Sequence, residues 1–190
     1  MIVIDDFLPN EYYNQLYAII MSGDFDWYHS HATIIQPLFG KNVKESKQFN
    51  HSFFIDDIPK NFYDLITPIY FALEEHGMKP SKIYRTKANM LIKEIDYPDD
   101  TYHGPHPDHP IANTLTMILY LNDSDGDTYI FEENYLEKLD FEYNLDDLKI
   151  ENRVKPKANR ALIFDATKLH ASSPPRETDR RVVINVVFKT

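Results

Sequence analysis

The sequence contains no cysteine, and only five of its 190 residues are glycine. Without cysteine there can be no disulfide framework, thiolate zinc site, iron–sulfur cluster or cysteine nucleophile, and the redox compartment is left open. No apolar run approaches the roughly 18–20 residues that a membrane-crossing helix needs. Positive charge is scarce: 20 Lys and Arg stand against 30 Asp and Glu, for a formal net charge of −10. Phosphate-backbone binders carry a basic footprint, so nucleic acid is disfavoured as a partner. Residues 1–6, Met-Ile-Val-Ile-Asp-Asp, place acids where an export signal carries Lys or Arg, so a soluble cytoplasmic protein is expected. Tyr and Phe are plentiful, at 13 and 12 residues. The length suits one domain with a sizeable core.

Ile2, Val3 and Ile4 read as a short strand. Asn10 then offers an N-cap to a helix with apolar positions Tyr13, Leu16, Tyr17, Ile19 and Ile20, ending near Gly23. Residues 29–51 are irregular. A second helix is expected with Asp56 or Asp57 as cap, Pro59 in its first turn and a helical repeat at Phe62, Leu65, Ile66, Ile69, Tyr70 and Leu73. Gly77 closes it and Pro68 should kink it. Beyond it the pattern is β, with strands expected over residues 88–95, 113–121, 128–131, 161–164 and 182–188. Helices followed by a run of strands imply an α+β, mainly β, arrangement with the amino-terminal helices packed on one antiparallel sheet system. Residues 123–151 are strongly acidic, and read as a surface excursion before a return strand or as a substrate-contacting insert.

The chemistry concentrates in Tyr102-His103-Gly104-Pro105-His106-Pro107-Asp108-His109-Pro110. In an extended segment residues i and i+2 point the same way, so His106 and Asp108 can meet at one point. Together with a second histidine they would make the facial 2-His-1-carboxylate set that holds non-haem Fe(II) with positions left open. His170, directly after the strand ending in Phe164-Asp165, can complete it; His103 and His109 remain competing ligands. The prolines argue against a helix there. Arg181 opens a Val/Ile-rich last strand and shares a face with Val183 and Asn185. Its guanidinium fits the distal carboxylate of 2-oxoglutarate.

The order HxD, distal His, then Arg resembles the Fe(II)/2-oxoglutarate-dependent oxygenases of the prolyl-4-hydroxylase-like group, from about Ile83 to Phe188. The wording is similar at Thr116-Met117-Ile118-Leu119-Tyr120-Leu121-Asn122, at Gly126-Asp127-Thr128, and at Val154-Lys155-Pro156 with Asn159-Arg160-Ala161-Leu162-Ile163-Phe164. Residues 104–109 and Phe25-Asp26-Trp27-Tyr28 look most like small phage-encoded members, which implies the host cytoplasm as setting. The resemblance implies a double-stranded β-helix (jelly-roll) core. It assigns His106, Asp108 and His170 as catalytic iron ligands and Arg181 as the 2-oxoglutarate anchor. Tyr120 would hydrogen-bond the same carboxylate, and Asn185 would face the metal pocket. Two departures lie on the substrate side. The usual Gly-Gly-Glu-Thr wording is Asp125-Gly126-Asp127-Thr128 here, and the acidic segment is long.

One oxygenase domain over residues 1–190 is therefore expected, with 1–82 a helical support, 83–190 the jelly-roll core and 132–151 an acidic insert. The implied activity is hydroxylation of a C–H bond in a peptidyl side chain, such as proline, or in a small molecule. It uses Fe(II), O2 and 2-oxoglutarate, with ascorbate as a candidate accessory, and forms succinate and CO2. A non-catalytic jelly-roll metal-binding or interaction module is the competing reading. A zinc hydrolase would leave Arg181 without a role.

Overall fold

The computed structural model describes residues 1–33, 40–134 and 145–190. Among these, eleven strands and two helices follow in the order β1 (Ile2–Ile4), α1 (Asn10–Ile20), β2 (Tyr28–Ser30), β3 (Gln48–Ile55), β4 (Ile58–Pro59), α2 (Tyr63–Glu75), β5 (Lys82–Ile92), β6 (Thr114–Tyr120), β7 (Thr128–Asn134), β8 (Ile150–Val154), β9 (Arg160–Asp165), β10 (Lys168–Ser172) and β11 (Arg180–Lys189). All pairings between them are antiparallel. The major sheet runs β1-β9-β6-β11-β5-β3-β2 with β4 attached to β3, and the minor sheet runs β10-β7-β8. Together they form the expected jelly-roll core.

Strand alternation sorts the major sheet into two faces. Ala88, Met117, Leu119, Ile163, Val182, Ile184 and Val186 pack against Leu16 and Ile20 of α1 and Ile66, Ile69 and Leu73 of α2. The other face presents Ile118, Tyr120, Leu162, Phe164 and Val183 to Ile130 of β7 and Val154 of β8. β11 is therefore buried on both faces, which explains an apolar run over residues 182–188 interrupted only by Asn185. Its polar inward residues, Arg181 and Asn185, point between the sheets, and the site forms there.

α1 starts one residue earlier than its sequence cue suggested, and α2 starts later. Pro9, not Asn10, is the residue preceding α1, and it makes no side-chain cap. Asp56 and Asp57 do not cap α2. Both have positive φ, 51° and 61°, and they form the two-residue turn that joins Ile55 to Ile58, where a primed turn matches strand twist. α2 begins only at Tyr63, and it tolerates Pro68 because the Thr67 hydroxyl donates to the Asp64 carbonyl that the proline cannot serve. Its end is as expected: Gly77, at φ 80°, donates to Glu74 and Met78 donates to Leu73, the paired bonds of a glycine-terminated helix. β5 spans Lys82–Ile92, six residues earlier than the expected strand at 88–95, so that Arg85 and Lys87 are strand residues. The expected insert is framed by β7 and β8, with Phe131 opposite Ile150, while its residues 135–144 lie outside the described residues.

Candidate metal and acid-binding site

The histidine-rich segment is held as an extra strand along β10. The backbones of His106 and His170 exchange two hydrogen bonds, of 3.0 and 3.1 Å, and the Asp108 amide donates to Ala166. Such a reciprocal pair brings two side chains onto one side of the ladder, and the two imidazole centroids lie 4.7 Å apart. Asp108, two residues on, joins them, and one ligand atom from each of the three residues falls within 4.8 Å of the others.

Each imidazole is oriented from behind. His106 Nδ1 donates to the Gly104 carbonyl at 2.9 Å, and His170 Nδ1 donates to the Lys168 carbonyl at 3.2 Å. These bonds select the tautomer whose Nε2 carries a free lone pair, the form that binds a metal. Burial pushes the His106 pKa down to about 3, so that its ring is neutral. Asp108 Oδ2 lies 3.4 Å from His170 Nε2, which sets an acceptor against an acceptor. A cation between them removes that conflict, and the donor set fits ferrous iron.

The carboxylate is fixed just as firmly. Its Oδ1 accepts from Arg85 Nη2 at 2.5 Å, and its Oδ2 accepts from Thr116 Oγ1 and Asn185 Nδ2, both at 2.9 Å. Burial alone would raise the Asp108 carboxyl, but the Arg85 guanidinium together with the His170 and His106 rings holds the group well below the usual carboxylate range. Asn185 faces this pocket as its strand parity predicts, and its Oδ1 accepts from Arg85 at 3.1 Å.

Arg181 is 3% exposed, a depth at which an always-charged group calls for partners. Its Nε donates to the Gly126 carbonyl at 2.8 Å and its Nη2 to Thr128 Oγ1 at 2.7 Å. The Gly126 position admits no side chain, since a Cβ there would meet the Ser173 carbonyl oxygen at 2.5 Å. Tyr120 lies beside Arg181, but its hydroxyl donates to Thr128 Oγ1 at 2.7 Å. Thr128 thus receives two hydrogen bonds on its two lone pairs and keeps its own proton for a ligand. Arg181, Thr128, the triad and Asn185 line one cleft of about 60 Å³ with Lys87, Asn89 and Gln48.

The flanking histidines do not join the triad. His103, a competing ligand in the sequence, is fully buried and hydrogen bonded instead to Ser46 Oγ at 2.6 Å and to Ser172 Oγ at 3.1 Å. His109 packs against Tyr84, with the rings tilted and their centroids 4.3 Å apart. Sequence reasoning missed Arg85 and Lys87 because it began their strand too late, and Thr128 because nothing local marks a hydroxyl that bridges two strands.

The sequence profile described as the 2OG-Fe(II) oxygenase superfamily matches residues 93–189, slightly more than half of the chain. No curated protein sequence matches the chain. Among solved structures, the non-haem α-ketoglutarate-dependent epimerase SnoN from nogalamycin biosynthesis is similar over 99% of this chain and 77% of its own, at TM-score 0.63 and 11% identity. A prolyl hydroxylase from Trichoplax adhaerens, in complex with a hypoxia-inducible-factor oxygen-degradation-domain peptide, is similar over 99% of this chain and 82% of its own, at 0.58 and 14%. A Pseudomonas putida prolyl-4-hydroxylase is similar over all of this chain and 92% of its own, at 0.53 and 12%. These identities speak for a shared fold.

Proposed function

The chain belongs to the 2OG-Fe(II) oxygenase superfamily, and from that premise we propose that it is a hydroxylase in which His106, Asp108 and His170 hold the iron and Arg181 anchors 2-oxoglutarate. The observation that carries this reading is the triad itself: two imidazoles turned to offer Nε2 and an ionised carboxylate, all within 4.8 Å. Iron bound with 2-oxoglutarate and O2 supplies the oxidative decarboxylation to succinate and CO2 that is coupled to hydroxylation of a C–H bond.

The chain's own residues bind and orient. Arg85, Thr116 and Asn185 fix the Asp108 carboxylate, and the carbonyls of Gly104 and Lys168 fix the two rings. Arg181 would offer a fixed positive charge, and the Thr128 hydroxyl beside it a proton, to the distal carboxylate of the co-substrate. Tyr120 acts through Thr128, because its hydroxyl is already spent on that side chain. The apolar residues Ile118 and Val183, which line the same cleft, would exclude water from the path of the co-substrate.

Residues 83–190 would carry this machinery, with 1–82 as support and 132–151 as the substrate-side insert. The substrate we envisage is a peptidyl side chain such as proline, or a small molecule. The resemblance to phage-encoded proteins suggests work in a host cytoplasm, with ascorbate keeping the iron reduced. Among the described residues no helix is long and apolar enough to cross a membrane.

Anaerobic titration of the protein with Fe(II) and then 2-oxoglutarate tests the core of the reading. A weak visible charge-transfer band should develop with 2-oxoglutarate, and admission of O2 should yield succinate. No band, together with no succinate across a broad substrate panel, would leave a non-catalytic jelly-roll module as the better description.

A further inference from the structure

The cleft holds a second cation on its wall. Lys87 lies opposite Asn185 on β11 and opposite Ser52 on β3, on the inward face of β5. It stands at the level of the Asp108 carboxylate, one strand removed from Asn185. Arg181 pairs with Leu91, two inward positions further along, and same-face neighbours on a strand are roughly 6.5–7 Å apart. The two cations therefore stand at different levels of the cleft, Lys87 opposite Asn185 and Arg181 two inward positions further along.

A lysine usually extends its ammonium into water. Lys87 is instead half-buried in the cleft wall, with Arg85 two residues before it on the same face. Burial and the nearby guanidinium push its pKa down to about 8, so the group is still charged at neutral pH. Among the described residues it has no ion-pair or hydrogen-bond partner. The one acid lining the cleft is Asp108, whose oxygens are taken by Arg85, Thr116 and Asn185. The next inward residue, Asn89, has a buried carboxamide oxygen that also lacks a partner. A desolvated cation beside an unsatisfied acceptor costs free energy until a ligand supplies the complement. That complement is an anion next to an N–H or O–H donor.

We propose that Lys87 is the anchor for a carboxylate on the substrate to be oxidised, and that Asn89 accepts a hydrogen bond from a donor close to that carboxylate. The substrate class is thus a carboxylic acid of amino-acid type, either a free acid or an acidic side chain presented by a peptide. This rests on the oxygenase reading of the same cleft and narrows it.

The test uses the full chain loaded with Mn(II) and 2-oxoglutarate, which permits binding to be measured without turnover. The probes are N-acetyl amino acids, each as free acid and as N-methylamide; the N-methylamides of N-acetyl-aspartate and N-acetyl-glutamate carry only a side-chain carboxylate. Binding is read by ligand-observed NMR for wild type, Lys87→Met and Lys87→Arg, with thermal unfolding as the check on folding. At least one acid should bind wild type about tenfold more tightly than its uncharged partner, the value of one charge-assisted hydrogen bond. Lys87→Met should abolish that preference and Lys87→Arg should restore part of it, while 2-oxoglutarate affinity stays within about twofold. Preference for the free α-carboxylates identifies a small acid, and preference for the aspartyl or glutamyl amides identifies a peptide. If wild type shows no preference for acids, whether both forms bind alike or neither binds, the proposal is wrong. It is equally wrong if Lys87→Met loses tenfold or more in 2-oxoglutarate affinity, because the ammonium then serves the co-substrate. Failure of wild type to bind 2-oxoglutarate at all would instead remove the oxygenase reading on which the proposal stands.

Discussion

Arg85 and Asp108 form an ion pair at 2.5 Å, with their side chains 26% and 4% exposed. The guanidinium comes from the major sheet and the carboxylate from the segment lying along the minor sheet, so the pair ties the two halves of the barrel together at the proposed metal site. While no metal is bound, Arg85 is the charge that balances the carboxylate. Removing one partner of a buried pair costs about 3–5 kcal/mol; with Arg85 partly exposed, about 2 kcal/mol is the reasonable expectation for Arg85→Met. A bound divalent ion replaces the missing charge, so the loss should shrink when Mn(II) is added. Thermal unfolding of both proteins with and without the ion decides the matter: an equal loss in both states would mean that Arg85 contributes packing alone.

The tautomers imposed by Gly104 and Lys168 give a second expectation. His170→Ala removes a preset Nε2 donor and should weaken Mn(II) binding by more than about 100-fold, beyond what loss of an outer partner usually costs. His103→Ala should leave metal affinity near wild type, because both ring nitrogens of His103 are engaged with Ser46 and Ser172. Titration followed by Mn(II) paramagnetic resonance separates the two, and the reverse result would exchange the assignments.

The pairing of His106 with Asp108 was legible in the sequence because local rules govern it, whereas His170 joins them through a long-range backbone bridge and was singled out by the resemblance. Prolines forced an extended backbone, and extension put His106 and Asp108 on one side. Arg181 and Asn185 were legible through the alternation of an uninterrupted strand. Arg85, Lys87 and Thr128 were not, because each acquires its role from a partner distant in sequence: Asp108 for Arg85, the facing Asn185 and Ser52 for Lys87, and Tyr120 with Arg181 for Thr128. The late start of α2 has the same origin. Asp56 and Asp57 suit a helix cap and a hairpin turn equally well, and pairing of Ile55 with Ile58 decided for the turn.

Asp125 bears on the anchor through pH. Burial would raise its carboxyl, but the amides of Thr178, Arg176 and Glu177 and the Thr178 hydroxyl donate to it and hold it below the usual range. These bonds shape the turn that leads into β11 and Arg181. A carboxyl depressed in the folded state stabilises fully above its unfolded value, ~3.9, and that contribution is lost as pH falls through the folded value. Asp125→Asn should therefore cost about 1–2 kcal/mol at neutral pH, and the gap to wild type should close as the solution is acidified below about pH 4. Urea unfolding at neutral and acid pH measures it; a gap independent of pH would mean that the charge of Asp125 contributes nothing.

Thr128 and Arg181 should share the co-substrate carboxylate unequally. Arg181 brings charge and geometry, and Arg181→Ala should weaken 2-oxoglutarate binding by about 100-fold, the upper range for hydrogen bonds to a charged group, with Mn(II) still bound. Thr128→Val keeps the shape and removes only the hydroxyl, together with the acceptor for Tyr120 and Arg181. Its effect should be about tenfold on 2-oxoglutarate, with some loss of stability because two buried donors lose their partner. Tyr120→Phe then supplies the discriminating measurement. If Tyr120 touches the carboxylate only through Thr128, Tyr120→Phe should have little further effect on 2-oxoglutarate affinity in the Thr128→Val background. If Tyr120→Phe costs as much in that background as in wild type, the tyrosine contacts the ligand directly, and the hydrogen bond to Thr128 belongs to the ligand-free protein alone.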